Sequence, residues 1–142
     1  MRPLPVLLAG ILTEMETRLD AAGIAFAQQG CDDVPDLPVD PAQAYHLSRL
    51  LREVTTNVIK HVGQGAVALT CLCDDENLVL EIIDQGPGIP DAATQQGTGL
   101  GNIRFRASEL GALASWYNDT AGGTRFVLRL QLGQLMSVSK AG

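Results

Sequence analysis

The chain has 142 residues, 46% of them hydrophobic, and carries 10 Lys and Arg against 16 Asp and Glu for a formal net charge of −6. That length fits one domain of about 150 residues and that apolar fraction supports a core, so a chain disordered throughout is excluded. An acidic chain lacks the basic footprint that nucleic-acid phosphates require, so no nucleic-acid partner is expected.

Three cysteines, Cys31, Cys71 and Cys73, are an odd number without framework spacing, which argues against a secreted disulfide scaffold. No apolar run reaches the about 18 residues that a membrane span needs. The start, Met1-Arg2-Pro3 followed by Leu4 to Leu12, has the outline of a signal peptide. Against that, Leu4, Leu7, Leu8, Ile11, Leu12, Met15 and Leu19 recur at helical spacing with Glu14, Glu16 and Arg18 between them, the pattern of an amphipathic core helix. The expectation is a cytoplasmic chain forming a single domain over 1–142.

In chain order, the spacing predicts a first helix over 4–20 that stops near Gly23, then a short strand over 24–28. Residues 31–38, with Asp32, Asp33, Pro35, Asp36 and Pro38, read as a polar turn that continues neither element. Asp40-Pro41 opens a second helix, the acid as N-cap and the proline at the first helical position, which runs to Val62 and ends at Gly63. Its apolar stripe is Leu47, Leu51, Val54 and Val58. Val67, Leu69, Cys71 and Cys73 alternate with Ala66, Ala68, Thr70 and Leu72 as a strand, Asp74 to Asn77 turns, and 78–84 returns. A glycine-rich loop fills 85–101, a third helix fits 100–110 and closes at Gly111, and strands over 112–117 and 124–132 flank a turn at 118–123. Residues 133–142 lack pattern and are expected to fray. The order α-β-α-β-β-α-β-β predicts an α/β fold, a two-layer sandwich with a mixed sheet and three helices on one face.

Four segments hold residues with chemistry to offer. Glu53, Asn57, Lys60 and His61 line one face of the second helix, about a quarter turn from its apolar stripe. A carboxylate, an amide oxygen and an ammonium so placed suit a divalent cation and a phosphate, though a solvated helix face has the same composition. Asp84-Gln85-Gly86-Pro87-Gly88-Ile89 follows a strand. Its glycines permit close approach to a planar ligand and its acid can accept a hydrogen bond from an exocyclic amine, while an ordinary Gly-Pro turn fits equally well. Gly97-Thr98-Gly99-Leu100-Gly101-Asn102 leads into a helix, where free N–H groups and the helix dipole make an anion cradle. It is not a P-loop, because no Lys-Ser/Thr follows. Gly122-Gly123-Thr124 enters the last strand and is explained by a hairpin turn alone. Cys71-x-Cys73 reads as strand burial on one face rather than as a metal site. His46 falls near the core stripe, Trp116 and Tyr117 read as packing residues, and Arg104 and Arg106 read as surface charges, with Arg104 near enough to the cradle that contact with a ligand there is the alternative.

Taken in order, the segments resemble the boxes of the GHKL ATPases, the superfamily of gyrase, the heat-shock chaperone, histidine kinases and the mismatch-repair protein. Glu53 to His61 looks like the N-box, Asp84 to Gly88 the D-x-G-x-G box, Gly97 to Asn102 the glycine-rich box closing the ATP lid, and Gly122-Gly123-Thr124 the last box. Gly99-Leu100-Gly101-Asn102-Ile103-Arg104-Phe105-Arg106-Ala107 with Leu110-Gly111 is similar to the catalytic domains of the histidine-kinase branch of nitrate/nitrite and membrane-fluidity sensors. The resemblance spans about residues 4–132 and implies a Bergerat-type fold, with ATP and Mg²⁺ as cofactors.

Carried over by position, it implies that Asp84 binds the adenine amine with Thr124 assisting through water, and that Asn57 coordinates Mg²⁺ while Glu53 helps organise the metal or its waters. It implies that Lys60 reaches the phosphates with His61 beside it, Glu53, Asn57 and Lys60 being the catalytic candidates. Gly86, Gly88 and Ile89 would give adenine and ribose close access, and Gly97, Thr98, Gly99, Leu100 and Gly101 would wrap the phosphates under a short lid over 91–96. The chain departs from the full pattern in having only His46 and His61, with no helical segment bearing a phosphoacceptor histidine. The function so implied is the ATP-binding catalytic domain of a two-component sensor histidine kinase, monomeric in isolation. It would present Mg-ATP to a histidine on a dimerisation domain, upstream in the same protein or on another chain, with a response regulator downstream. It would lie in the cytoplasm, including as the inner part of a membrane-bound sensor. The alternatives are a stand-alone anti-sigma-factor-type serine kinase of the same superfamily, and a degenerate interaction module, against which the intact boxes argue.

Overall fold

The computed structural model describes residues 1–62, 65–85, 100–118 and 123–136. In chain order these form strand β1 (Arg2–Pro3), helix α1 (Leu4–Ala21), strand β2 (Ile24–Gln29), a 3₁₀ turn (Cys31–Asp33), strand β3 (Pro38–Val39), helix α2 (Pro41–Val62), strands β4 (Gly65–Cys73) and β5 (Asn77–Asp84), helix α3 (Leu100–Leu110), strands β6 (Leu113–Asn118) and β7 (Thr124–Gln131), and helix α4 (Leu132–Met136).

The main sheet has the order β2-β4-β5-β7-β6. Its β2–β4 pair is parallel, with Ile24 opposite Gly65 and Gln29 opposite Thr70, and the other pairs are antiparallel. The sheet is therefore mixed, as expected. One face is apolar in register across three strands: Cys71, Leu80 and Leu128 lie side by side, as do Leu69, Ile82 and Phe126. These side chains are buried with the α1 stripe from Leu4 to Leu19, with Leu47, Leu50, Leu51, Val54 and Val58 of α2, and with Ile103, Ala107 and Leu110 of α3. The opposite face carries Thr70, Glu81, Arg125 and Arg129, and Glu81 pairs with Arg125 at 2.6 Å. Three helices thus cover one face, and the two-layer reading holds.

Local chemistry explains the boundaries. Asp40 caps α2 by accepting the Ala42 N–H at 3.0 Å on its carboxylate. Asp74 closes the β4–β5 turn by accepting the N–H groups of Glu76 and Asn77, both at 2.8 Å. The end of α3 is sealed by Gly111 at φ +65° and by the Ala112 N–H bonding to the carbonyl of Ala107 at 2.8 Å.

Some expectations need correction. The polar turn over 31–38 holds a 3₁₀ turn, and its end becomes β3, which pairs with β1 in a two-stranded sheet. Cys31 and Cys71 form a disulfide. Cys71 is buried as expected, but Cys73, on the same face at the strand end, is exposed. The frayed tail does not begin at Gly133: Leu132 and Leu135 are buried in α4, and the Leu135 carbonyl accepts the Asp40 N–H at 2.8 Å. Residues 137–142 lie outside the described residues. No described helix is long and apolar enough to cross a membrane.

Candidate functional site

Strand register brings the candidate residues to one end of the sheet. Asp84, the last residue of β5, pairs with Val67 near the start of β4, which follows the C-terminal end of α2. On the other side of β5, Ile83 pairs with Arg125, so Asp84 meets the first residue of β7, Thr124, which in turn faces Asn118 at the end of β6. Helix α3 ends just before Leu113, at the far end of β6. Its first turn therefore points back toward Asn118, and Arg104 lies with its guanidinium carbon 4.9 Å from the centre of the Trp116 ring. The positive end of the α3 dipole, the end of α2, Asp84 and Thr124 share one rim of the fold.

The Asp84 carboxylate is fixed by the backbone: the Thr124 N–H donates to its Oδ1 at 3.1 Å. Thr124 is 8% exposed. Gly123 makes this junction close. Its φ is +92°, and a Cβ there would overlap the carbonyl oxygen of Asp84 and stand 3.0 Å from the Cα of Gln85. Only glycine combines that dihedral with that approach. An oriented carboxylate at a strand end is suited to accept a hydrogen bond from a planar ligand's amine.

On α2, Glu53 and Asn57 are half-buried and Lys60 is exposed. Asn57 stands five residues before Val62, about 7.5 Å from the helix end at 1.5 Å per residue. Glu53 and Asn57, four residues apart on one face, offer a carboxylate and an amide oxygen, both hard donors. Among the described residues no cluster of three or more His, Cys, Asp and Glu could hold a metal. The pair fits Mg²⁺ only as an ion that brings its own waters and phosphate oxygens, which is the common mode for that ion.

Helix α2 is anchored near this pair by contacts that the sequence reading missed. Arg18 of α1 donates to the Thr56 hydroxyl at 2.9 Å and to the Arg52 carbonyl at 3.2 Å, and Arg52 pairs with Glu14 at 2.9 Å. Charges on α1 at positions 14 and 18 facing α2 were the available signal. At the other end of α2, His46 contacts Arg106 at 3.2 Å and Glu109 at 3.8 Å, which ties α2 to α3.

The remaining candidates divide clearly. His61 and Leu100 belong to helices, but their side chains lie outside the described residues, as do Gly86, Gly88, Ile89, Gly97, Thr98 and Gly99 and the lid over 91–96. Gly101 is exposed in the first turn of α3. Arg104 lies over Trp116, which itself packs on Phe126 with ring centres 5.1 Å apart. A cavity of about 1000 Å³ beside Asp74, Glu76 and Arg129 lies at the opposite end of the sheet and contains none of the candidates.

The family described as histidine kinase-, DNA gyrase B-, and HSP90-like ATPase matches residues 42–134. The chain is similar to the signal transduction histidine-protein kinase/phosphatase UhpB of Salmonella typhimurium, 32% identical over 102 residues, which are 72% of this chain and 17% of that protein. It is also similar to the nitrate/nitrite sensor protein NarQ of Escherichia coli, 32% identical over 93 residues, 64% of this chain and 16% of that one. The chain thus spans a small part of these relatives. Among solved structures, the histidine kinase domain of the Erythrobacter litoralis EL346 blue-light activated histidine kinase superposes with a TM-score of 0.76 at 24% identity, covering 94% of this chain and 63% of that one. The catalytic domain of histidine kinase ThkA gives a TM-score of 0.72 at 19% identity, covering 92% and 96%. At those identities the structural likeness is one of fold.

Proposed function

Since the chain belongs to the histidine kinase-, DNA gyrase B-, and HSP90-like ATPase family, we propose that it is the ATP-binding catalytic domain of a two-component sensor histidine kinase. It acts in the cytoplasm, presenting Mg-ATP to a histidine on a separate helical dimerisation domain, and a response regulator receives the phosphoryl group afterwards. The observation that carries this reading is the Asp84–Thr124 junction: a carboxylate fixed at 3.1 Å by a backbone N–H, on the rim that also receives the ends of α2 and α3.

In this reading Asp84 accepts the adenine amine, and Gly123 lets the start of β7 close on the end of β5 so that the carboxylate stays oriented. Asn57 and Glu53 hold the metal or its waters, and Lys60 reaches toward the phosphates from the last turns of α2. Bound Mg²⁺ supplies charge neutralisation at the phosphates. The glycines at 86, 88, 97, 99 and 101, with Ile89, Thr98 and Leu100, wrap the nucleotide, and His61 stands beside Lys60. Phosphoryl transfer depends mainly on positioning and electrostatics, so a site without its own nucleophile is adequate. Residues 4–132 act as one nucleotide-binding unit, monomeric in isolation. The relatives named above are sensor kinases rather than anti-sigma proteins, and no observation favours the latter reading.

The test uses ATP labelled on its γ-phosphate and, as acceptor, a separately expressed helical dimerisation domain bearing a histidine. The expected result is acid-labile, alkali-stable label on that domain only when this chain is present, with slow hydrolysis by the chain alone. Rapid hydrolysis without transfer would make it a different kind of ATPase, and label on a serine would favour the anti-sigma class.

A further inference from the structure

The nucleotide reading leaves the three cysteines unused. Cys31 and Cys71 are bonded with Cα atoms 5.0 Å apart and a sequence separation of 40, so the ring they close contains β3 and all of α2. Gly30, at φ +80°, lies so tightly on β4 that a Cβ there would overlap the carbonyl oxygen of Cys71, which seats the 3₁₀ turn on the strand end. Cys73 leaves β4 on the same face as Cys71, because strand side chains alternate. The three sulfurs differ in access: Cys71 is 4% exposed, Cys31 is half-buried and Cys73 is exposed. A cavity of about 360 Å³ is walled by Gly30, Asp33, Cys71 and Cys73, so residues on both sides of Cys31 share it with the free thiol.

We propose that Cys31, Cys71 and Cys73 form a thiol–disulfide exchange site for small disulfides and thiols, with Cys73 as the point of attack and the Cys31–Cys71 bond as the stable product. In the reduced chain, the Cys73 thiolate attacks one sulfur of a small disulfide RSSR. A Cys73–SR bond forms, the S–S bond of RSSR breaks, and RS⁻ leaves to take up a proton. The Cys31 thiolate then attacks the Cys73 sulfur and expels the second RS⁻. Finally the Cys71 thiolate attacks the Cys31 sulfur and returns Cys73 as thiolate. Two cysteine thiols are oxidised and RSSR is reduced to two RSH, so electrons and protons balance. The reverse sequence, with excess RSH, opens the ring.

The rim around Cys73 selects among disulfides by charge. Asp33 from the 3₁₀ turn and Asp74, Asp75 and Glu76 from the β4–β5 turn line, together with Cys73, the neighbouring cavity of about 1000 Å³, where Arg129 of β7 is the lining cation. Partial burial, then the charges of Asp74 and Asp75, push the Cys73 thiol above its usual range, so exchange is slow at neutral pH. A neutral or cationic disulfide approaches this rim more readily than an anionic one.

The experiment starts from the fully reduced chain, freed of reductant and exposed in parallel to hydroxyethyl disulfide, cystamine and oxidised glutathione. Samples are quenched with iodoacetamide and mapped by peptide mass. The expected course is a transient adduct on Cys73, then a Cys31–Cys71 bond with Cys73 free. Cystamine should react roughly tenfold faster than oxidised glutathione at low salt, the gap closing as salt rises. Cys73→Ser, at an exposed position, should reach the same bond about tenfold more slowly. Oxidation of that variant at the wild-type rate, a Cys31–Cys71 bond appearing with no earlier Cys73 adduct, equal rates for the cationic and anionic disulfides, or three thiols persisting in the wild type would each overturn the proposal. None of these readouts depends on nucleotide binding, so the result stands apart from the kinase reading.

Discussion

Replacing Gly123 with alanine tests whether the Asp84 junction is as tight as its geometry requires. A non-glycine residue in the left-handed region costs about 1–2 kcal/mol. The new Cβ would also overlap the Asp84 carbonyl oxygen, so the start of β7 must move away from the end of β5. That movement lengthens the 3.1 Å bond from the Thr124 N–H to the Asp84 carboxylate. Hydrogen bonds to charged groups contribute about 1.5–3 kcal/mol, and this half-buried one belongs at the low end. Together the two effects predict a loss of about 2–4 kcal/mol. Urea denaturation should show a lower midpoint with an unchanged slope, and affinity for Mg-ATP should fall at least tenfold because the carboxylate loses its fixed orientation. Gly10→Ala is the matched control: it lies inside α1 and its added Cβ meets nothing within 4 Å, so it should stabilise by about 0.5–1 kcal/mol. A Gly123→Ala chain with the wild-type midpoint and wild-type affinity would mean that the β5–β7 junction is not held by close packing at position 123.

Reduction of Cys31–Cys71 opens a ring of sequence separation 40, for which the loop-entropy relation gives about 4 kcal/mol. Calorimetry with and without reductant should therefore differ by on the order of 10 °C, and melting curves that coincide would show that the ring constrains little. Leu135→Ala removes a fully buried side chain of α4 and should cost about 2–5 kcal/mol in urea titrations; a neutral effect would return residues 132–136 to the status of a loose end. The N–H groups of Glu76 and Asn77 hold the Asp74 carboxyl below its usual 3.8. Because the folded value is depressed, the turn is supported above the unfolded pKa and that support is lost as pH falls through the folded value. Carbon-detected NMR titration of Asp74 should place its midpoint below 3.8, and a midpoint above it would contradict the Asx-turn assignment.

Elements with strong local signals were legible in the sequence. The leucine spacing of α1 and the Asp40-Pro41 start of α2 place both helices within a residue or two of Leu4–Ala21 and Pro41–Val62, because burial of one stripe and an N-cap both act over a few residues. The β4–β5 turn was equally plain, since Asp74 satisfies its own neighbours. What depended on distant partners was hidden. Cys31 meets Cys71 only through the parallel β2–β4 register, and the odd count without framework spacing gave no sign of that bond. Helix α4 is too short to show periodicity, and its place is set by the Asp40 N–H and by Gln43, which donates to the Gln134 carbonyl at 3.0 Å. Arg104 sits where sequence proximity suggested, with its guanidinium over the Trp116 ring. At the candidate site the motif named Asp84 and Thr124, whereas their direct bond, and the need for glycine at 123, follow from strand pairing.

Whether Asp84 reads adenine on this rim is decided by calorimetric titration of Mg-ATP into the wild type and Asp84→Asn. Asparagine retains an oxygen for the Thr124 N–H, so the fold should be kept, while its amide presents a donor where the base needs an acceptor. The wild type should bind at roughly micromolar to millimolar strength, with a loss of at least tenfold in a variant that melts like the parent. Equal affinity in the two proteins, or no heat and no thermal shift with the wild type, would contradict that role for Asp84.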